Sequence, residues 1–219
     1  MKKVLLTLVL TLLSINSFAS MTHGTAIPKQ KFAPMFFQFA KEVPTQYLYV
    51  EPGKITGFQN YVSEDRNLGV AFDIIQNIIN SEEFKSQVIN FLNKSGNRSY
   101  TNNDGLTNEQ VYERIMQGKE LINGDATEGE MNFDVSRYNK KWSKVIGYTN
   151  MGKNNTIHVN GKFYRNYLPS KITANITHEW LHLMGFVHSS ASDHDSIPYA
   201  VGYIMGNLAD KYVNQGFLE

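Results

Sequence analysis

Apolar positions change their spacing several times along the chain, and each change marks a predicted element. Tyr47, Leu48, Tyr49 and Val50 read as a strand stopped by Pro52-Gly53. Val70, Ile74, Ile75, Ile78 and Ile79 recur at helical spacing, which predicts a helix over 68–91. Ser81-Glu82-Glu83 restarts that helix, with Phe84, Val88, Ile89 and Leu92 on one face. Residues 93–106 form a loop rich in Asn, Ser and Gly. Its Asn102-Asn103-Asp104-Gly105 has the composition of a calcium loop, but Val111 stands where an EF-hand requires its bidentate Glu, so it reads as a turn. A helix follows over 107–121, with Thr107 as N-cap and Gln110 completing a capping box. Residues 131–137, 142–148 and 156–164 alternate as three strands, with Gly161-Lys162 a turn or bulge in the last. Pro169-Ser170 opens a helix running to about 184. A polar loop over 189–196 and a final helix near 207–214 complete an α+β order of elements.

The N-terminus follows a different pattern. Lys2 and Lys3 precede an apolar run over 4–13, and Ser17-Phe18-Ala19 is a small-residue cleavage site, so 1–19 reads as a signal peptide. The run is shorter than the ~20 residues a bilayer requires, which disfavours an uncleaved anchor. A secreted or periplasmic protein starting at Ser20 is expected, with no membrane span after signal removal. Residues 20–44 are an N-terminal arm or short pro-segment; Phe32, Met35, Phe36, Phe37 and Phe39 favour an arm packed on the domain over a solvated tail. Residues 45–219 then make one domain, long enough for a core of its own.

Charge and cysteine content narrow the function. A formal net charge of +1 argues against electrostatic capture of nucleic acid or an anionic membrane. There is no cysteine, so an exported chain must rely on packing and metal for stability, and no thiolate is available to block a metal. His23 and Glu42 are the only other obvious blocking ligands before the first strand, and 20–44 is not expected to be a strong inhibitor.

The chemistry concentrates in His178-Glu179-Trp180-Leu181-His182-Leu183-Met184-Gly185-Phe186-Val187-His188. On a helix, His178 and His182 project from one face about one turn apart and can share a zinc ion. Glu179 is rotated by about 100° and can reach a water on the metal without ligating it. Gly185 can take the left-handed conformation that ends a helix, so the chain can double back and bring His188 as third ligand. Three histidines leave a fourth position for water, the arrangement of a catalytic site. His158, by contrast, reads as a surface or edge residue.

HExxHxxGxxH at 178–188 resembles the extended zinc motif of the metzincin clan of metallopeptidases. That clan places a methionine turn under the zinc, for which Met205 is the candidate. Ser189, directly after the third His, is similar to the matrixin pattern. Asn207 stands where astacins and serralysins carry a tyrosine, while Tyr203 lies two residues before Met205. The resemblance implies a twisted mixed sheet with a backing helix, the active-site helix beneath it, and a small C-terminal subdomain after His188. It also implies an edge strand that pairs with an extended substrate, for which 155–159 is the candidate. The expected function is a zinc-dependent endopeptidase with one catalytic Zn2+ on His178, His182 and His188, Glu179 as general base and acid, and a protein or peptide substrate. Two alternatives stay open. One is a zinc hydrolase of another clan using Asp193 or Asp195 as third ligand; the other is a catalytically silent peptide-binding module.

Overall fold

Strand β2 (Glu130–Tyr138) alternates strictly between buried and half-buried positions. Met131, Phe133 and Val135 are buried, and Phe133 meets Phe72 of helix α1 (Val62–Ile79) edge-on at 5.5 Å. The period of two therefore places one face of the sheet on a helical layer. This is a computed structural model describing residues 47–121 and 129–215. The expected signal peptide (1–19) and arm (20–44) lie outside the described residues.

The remaining elements are β1 (Tyr49–Thr56), α2 (Glu82–Ile89), α3 (Asn108–Gln117), β3 (Gly147–Thr149), β4 (Thr156–Asn160), the short α4 (Gly161–Tyr164), α5 (Pro169–Leu183) and α6 (Ile197–Asn214). The result is an α+β fold with a four-stranded mixed sheet in the order β1-β2-β4-β3. β1, β2 and β4 run parallel, and β3 is antiparallel to β4. No helix among the described residues is long and apolar enough to cross a membrane.

Several local expectations hold. Ser81 caps α2 by accepting from Phe84 N–H, and Thr107 and Gln110 form the capping box of α3. Asn102-Asn103-Asp104-Gly105 is a turn in which Asn102, Asp104 and Gly105 take positive φ.

Others are corrected. Pro52-Gly53 does not stop β1: the ladder shifts register between Pro52 and Ile55, and Lys54 N–H donates to Asp134 Oδ1 at 2.6 Å across the irregularity. The strand expected over 142–148 shortens to Gly147–Thr149, because Asn160 takes hold of the preceding loop. Its amide donates to the Lys140 and Val145 carbonyls and accepts from Lys140 N–H. Segment 155–159 is not the edge strand, since β4 lies between β2 and β3. The free edge on that side belongs to β3.

The largest correction concerns the C-terminal segment. Met205 lies not in a turn but in the middle of α6, fully buried. Pro198 opens this helix in its first turn, where its missing N–H costs nothing. Gly202 and Gly206 then notch the face packed on α5. A Cβ at Gly202 would lie 3.2 Å from the Ala174 carbonyl and 3.3 Å from His178 Cβ; one at Gly206 would lie 3.0 Å from Ala174 Cβ. Instead of a separate small subdomain, Ile197, Val201, Met205 and Leu208 join the same hydrophobic cluster as Trp180 and Ile176 of α5 and Ile75 of α1.

Candidate metal centre

Helix α5 carries His178, Glu179 and His182, and its C-terminus determines where the third histidine goes. Gly185 has φ +93°, its N–H donates to the His182 carbonyl at 2.9 Å, and Phe186 N–H reaches back to the Leu181 carbonyl at 3.1 Å. These two bonds are a Schellman cap, which reverses the chain at a residue free of Cβ strain. The last carbonyls of the helix are satisfied from the α3 side. Leu121 N–H donates to the Leu183 carbonyl at 2.8 Å, and Arg114 donates to the Met184 carbonyl at 2.8 Å while lying over the Phe186 ring.

His188 then returns to the α5 face. His178, His182 and His188 form a group that could hold a metal ion, each offering a ring nitrogen within 4.8 Å of the others. The Nε2 atoms of His178 and His182 are 3.3 Å apart. Two nitrogens bound tetrahedrally to zinc at ~2.05 Å would be about 3.3–3.4 Å apart, so this pair already has the required spacing.

The protonation states suit ligation. His182 Nδ1 is 2.7 Å from the Phe186 carbonyl, which can only accept, so Nδ1 carries the proton and Nε2 keeps its lone pair for a metal. Burial lowers the His182 pKa. His178 is lowered to about 3, chiefly by burial and then by its two histidine neighbours, while a hydrogen bond to the Pro198 carbonyl opposes the shift. Neutral imidazoles are the form a metal binds.

Glu179 is buried, and burial pushes its carboxyl up to about 8 against the opposing hydrogen bond from Asn175. Asn175 is itself oriented by the Tyr164 hydroxyl, which donates to its Oδ1 at 2.9 Å. The other wall is β3. A Cβ at Gly147 would stand 2.9 Å from Asn175 Oδ1 and 3.1 Å from Glu179 Oε1, so the free edge strand passes directly over the carboxylate.

Asp193 and Asp195 are committed elsewhere and lie outside the histidine group. The Asp193 carboxylate accepts from the Thr101 hydroxyl at 2.6 Å, from Asn102 at 2.7 Å, and from Ser189 N–H and Oγ. It thereby ties the loop after His188 to the loop before α3, and the Thr101 bond leads the causes that hold its pKa below the usual carboxylate range. Asp195 accepts from Lys94 N–H. His158 sits on β4, half-buried and stacked on Tyr148 at 4.6 Å, away from the triad.

Sequence reasoning missed Asn175, Tyr164 and Tyr199. Asn175 was within reach of it, being one helical turn before Glu179 on the same face. Tyr199, in the first turn of α6, packs its ring 4.5 Å from that of His178 and 4.7 Å from that of His188. Its ring packs against two of the three candidate ligands, whereas Met205 lies about two turns further along α6. Tyr203 turns to His194 instead, with its hydroxyl 3.3 Å from Nδ1. No protein-family model, no curated protein and no solved structure matches this chain.

Proposed function

We propose that the protein is an exported zinc-dependent endopeptidase resembling the metzincins, with His178, His182 and His188 holding one zinc ion and Glu179 as the catalytic base and acid. The observation that carries this reading is the placement of Glu179: buried beside the triad, oriented by Asn175, and crossed by a sheet edge that ends in no partner strand among the described residues. A structural metal site has no use for such a carboxylate.

An extended peptide adding to β3 would hydrogen-bond through its main chain, which binds substrates largely independently of their side chains. Bound zinc supplies Lewis acidity, polarising the scissile carbonyl and acidifying a water. With the cation bound nearby, its positive charge would oppose the burial that raises Glu179 and keep the carboxyl ionised. Glu179 would then accept the proton of that water as its oxygen attacks the carbonyl carbon. As the C–N bond breaks, Glu179 delivers the proton to the leaving nitrogen, giving one new carboxyl and one new amine terminus. Asn175 holds the carboxylate in position throughout, and Gly147 leaves room for it by having no side chain.

The test is digestion of a proteome-derived peptide mixture with zinc-loaded protein, read by mass spectrometry. Cleavage is expected, abolished by a chelator and restored by zinc. Bound zinc with an undigested mixture would instead make the chain a peptide-binding module.

A further inference from the structure

The chain carries a formal net charge of only +1, but residues 135–178 contain eight basic and no acidic residues. One of the eight, Arg137, is buried and paired with Glu64 at 2.7 Å. None of the other seven forms an ion pair among the described residues. Lys140, Lys141 and Lys144 are exposed on the loop between β2 and β3, and Lys162 of α4 joins them by donating to the Ser143 carbonyl at 2.9 Å. Among these lysines stands Trp142, 88% exposed. The loop is a built feature, because the fully buried Asn160 side chain holds it from both ends at Lys140 and Val145.

Its position gives the charge a purpose. Three residues after Lys144 comes Gly147, the point at which the sheet edge crosses Glu179. A peptide paired antiparallel to β3, with its scissile bond at Glu179, runs its C-terminal side toward residues 146–140. At about 3.4 Å per residue, its next three or four residues reach the lysine loop.

We propose that this loop is a recognition surface for acidic polypeptide immediately C-terminal to the scissile bond, with Trp142 covering the bound segment. This rests on the peptidase reading for the location of the scissile bond, but the surface itself can be tested without turnover. A polypeptide fits better than a membrane because the lysines flank a strand edge at the site. Among the described residues of the loop, the exposed large apolar side chains are Trp142 and Val145, too few for insertion into a bilayer. Exposed charge pairs are individually weak, so three or four together should favour an acidic flank by about tenfold.

Three peptides share one neutral core and carry three Glu at the C-terminal flank, three Glu at the N-terminal flank, or Gln at both. Binding is measured on zinc-loaded Glu179→Gln protein by tryptophan emission. Trp180 is fully buried, so a blue shift on binding reports Trp142. The C-terminal acidic peptide is expected to bind about tenfold tighter than the other two. That preference should vanish in 1 M NaCl, where the Debye length is ~3 Å, and in the K140Q/K141Q/K144Q variant. Trp142→Phe should remove the emission change. Equal binding of the three peptides, preference for the N-terminal flank, or tighter binding to anionic phosphatidylserine vesicles than to any peptide would each overturn the proposal. Selective binding of the acidic peptide by a wild type that cleaves nothing would uphold the surface and sink the peptidase reading.

Discussion

His188 and Asp193 separate two ways in which a residue can serve the site. His188 offers a ring nitrogen to the metal group, whereas Asp193 holds the loop behind it through Thr101, Asn102 and Ser189. Loss of a ligand removes a metal bond; loss of an outer partner typically costs about 10–100-fold in affinity. His188→Ala is therefore expected to weaken zinc binding well beyond 100-fold, and Asp193→Ala by about tenfold, measured by competition with a chromophoric chelator. The reverse order would make Asp193 the third ligand. Glu120 makes a prediction about pH. It is buried, its Oε1 accepts from Trp180 Nε1 at 2.6 Å and from Asn132 N–H at 2.8 Å, and its Oε2 has no hydrogen-bond partner among the described residues. Burial raises its pKa despite those two bonds. A carboxyl raised on folding contributes stability below its unfolded pKa of ~4.3 and loses that contribution as pH rises through the folded value. Relative to Glu120→Gln, which does not titrate, the wild type should therefore lose stability as pH rises above its unfolded pKa. Thermal melts of both proteins from below that pKa upward would show it, and parallel curves would contradict it.

Among the elements, β3 is only three residues long, yet it is the strand that passes over Glu179 and the one proposed to pair with substrate. Gly147→Ala puts a Cβ about 3 Å from both Asn175 Oδ1 and Glu179 Oε1, so the carboxylate must move while the three imidazoles stay in place. Peptide turnover is expected to fall at least about tenfold with zinc content unchanged, since small misplacements of a catalytic group are costly. Turnover equal to wild type would mean that β3 does not constrain Glu179. Element by element, what was legible in the sequence followed local signals. The capping box at Thr107, the isoleucines of α1 and the proline-led α5 all announced themselves through spacing or end chemistry. The edge assignment failed because strand order depends on which strands pair, and alternation in 142–148 and 156–164 carries no information about that. The missed start of α6 has another cause. Gly202 and Gly206 weaken helix propensity locally and read as breakers, yet they are the notches that let α6 approach Ala174 and His178. Tertiary packing overrode propensity there.

At the scale of the described molecule, a sheet edge, a helix pair and two loops converge on one group of side chains. The histidine triad was fully legible, because HExxHxxGxxH encodes both a helical face and the turn that ends it. Its surroundings were not. Tyr199 comes from a helix expected to begin about ten residues later, and Tyr164 from a segment expected to be strand. Everything proposed about function depends on whether Glu179 transfers protons, and one substitution isolates that. Glu179→Gln keeps the side chain's shape and leaves the three imidazoles untouched, but it cannot accept a proton. Zinc content by atomic absorption and turnover of a fluorogenic peptide are measured on wild type and variant together. The account predicts equal zinc and a turnover reduced by at least about 10⁴-fold, the upper end for a single acid–base group because one residue serves both transfers. Equal zinc with equal turnover would contradict it.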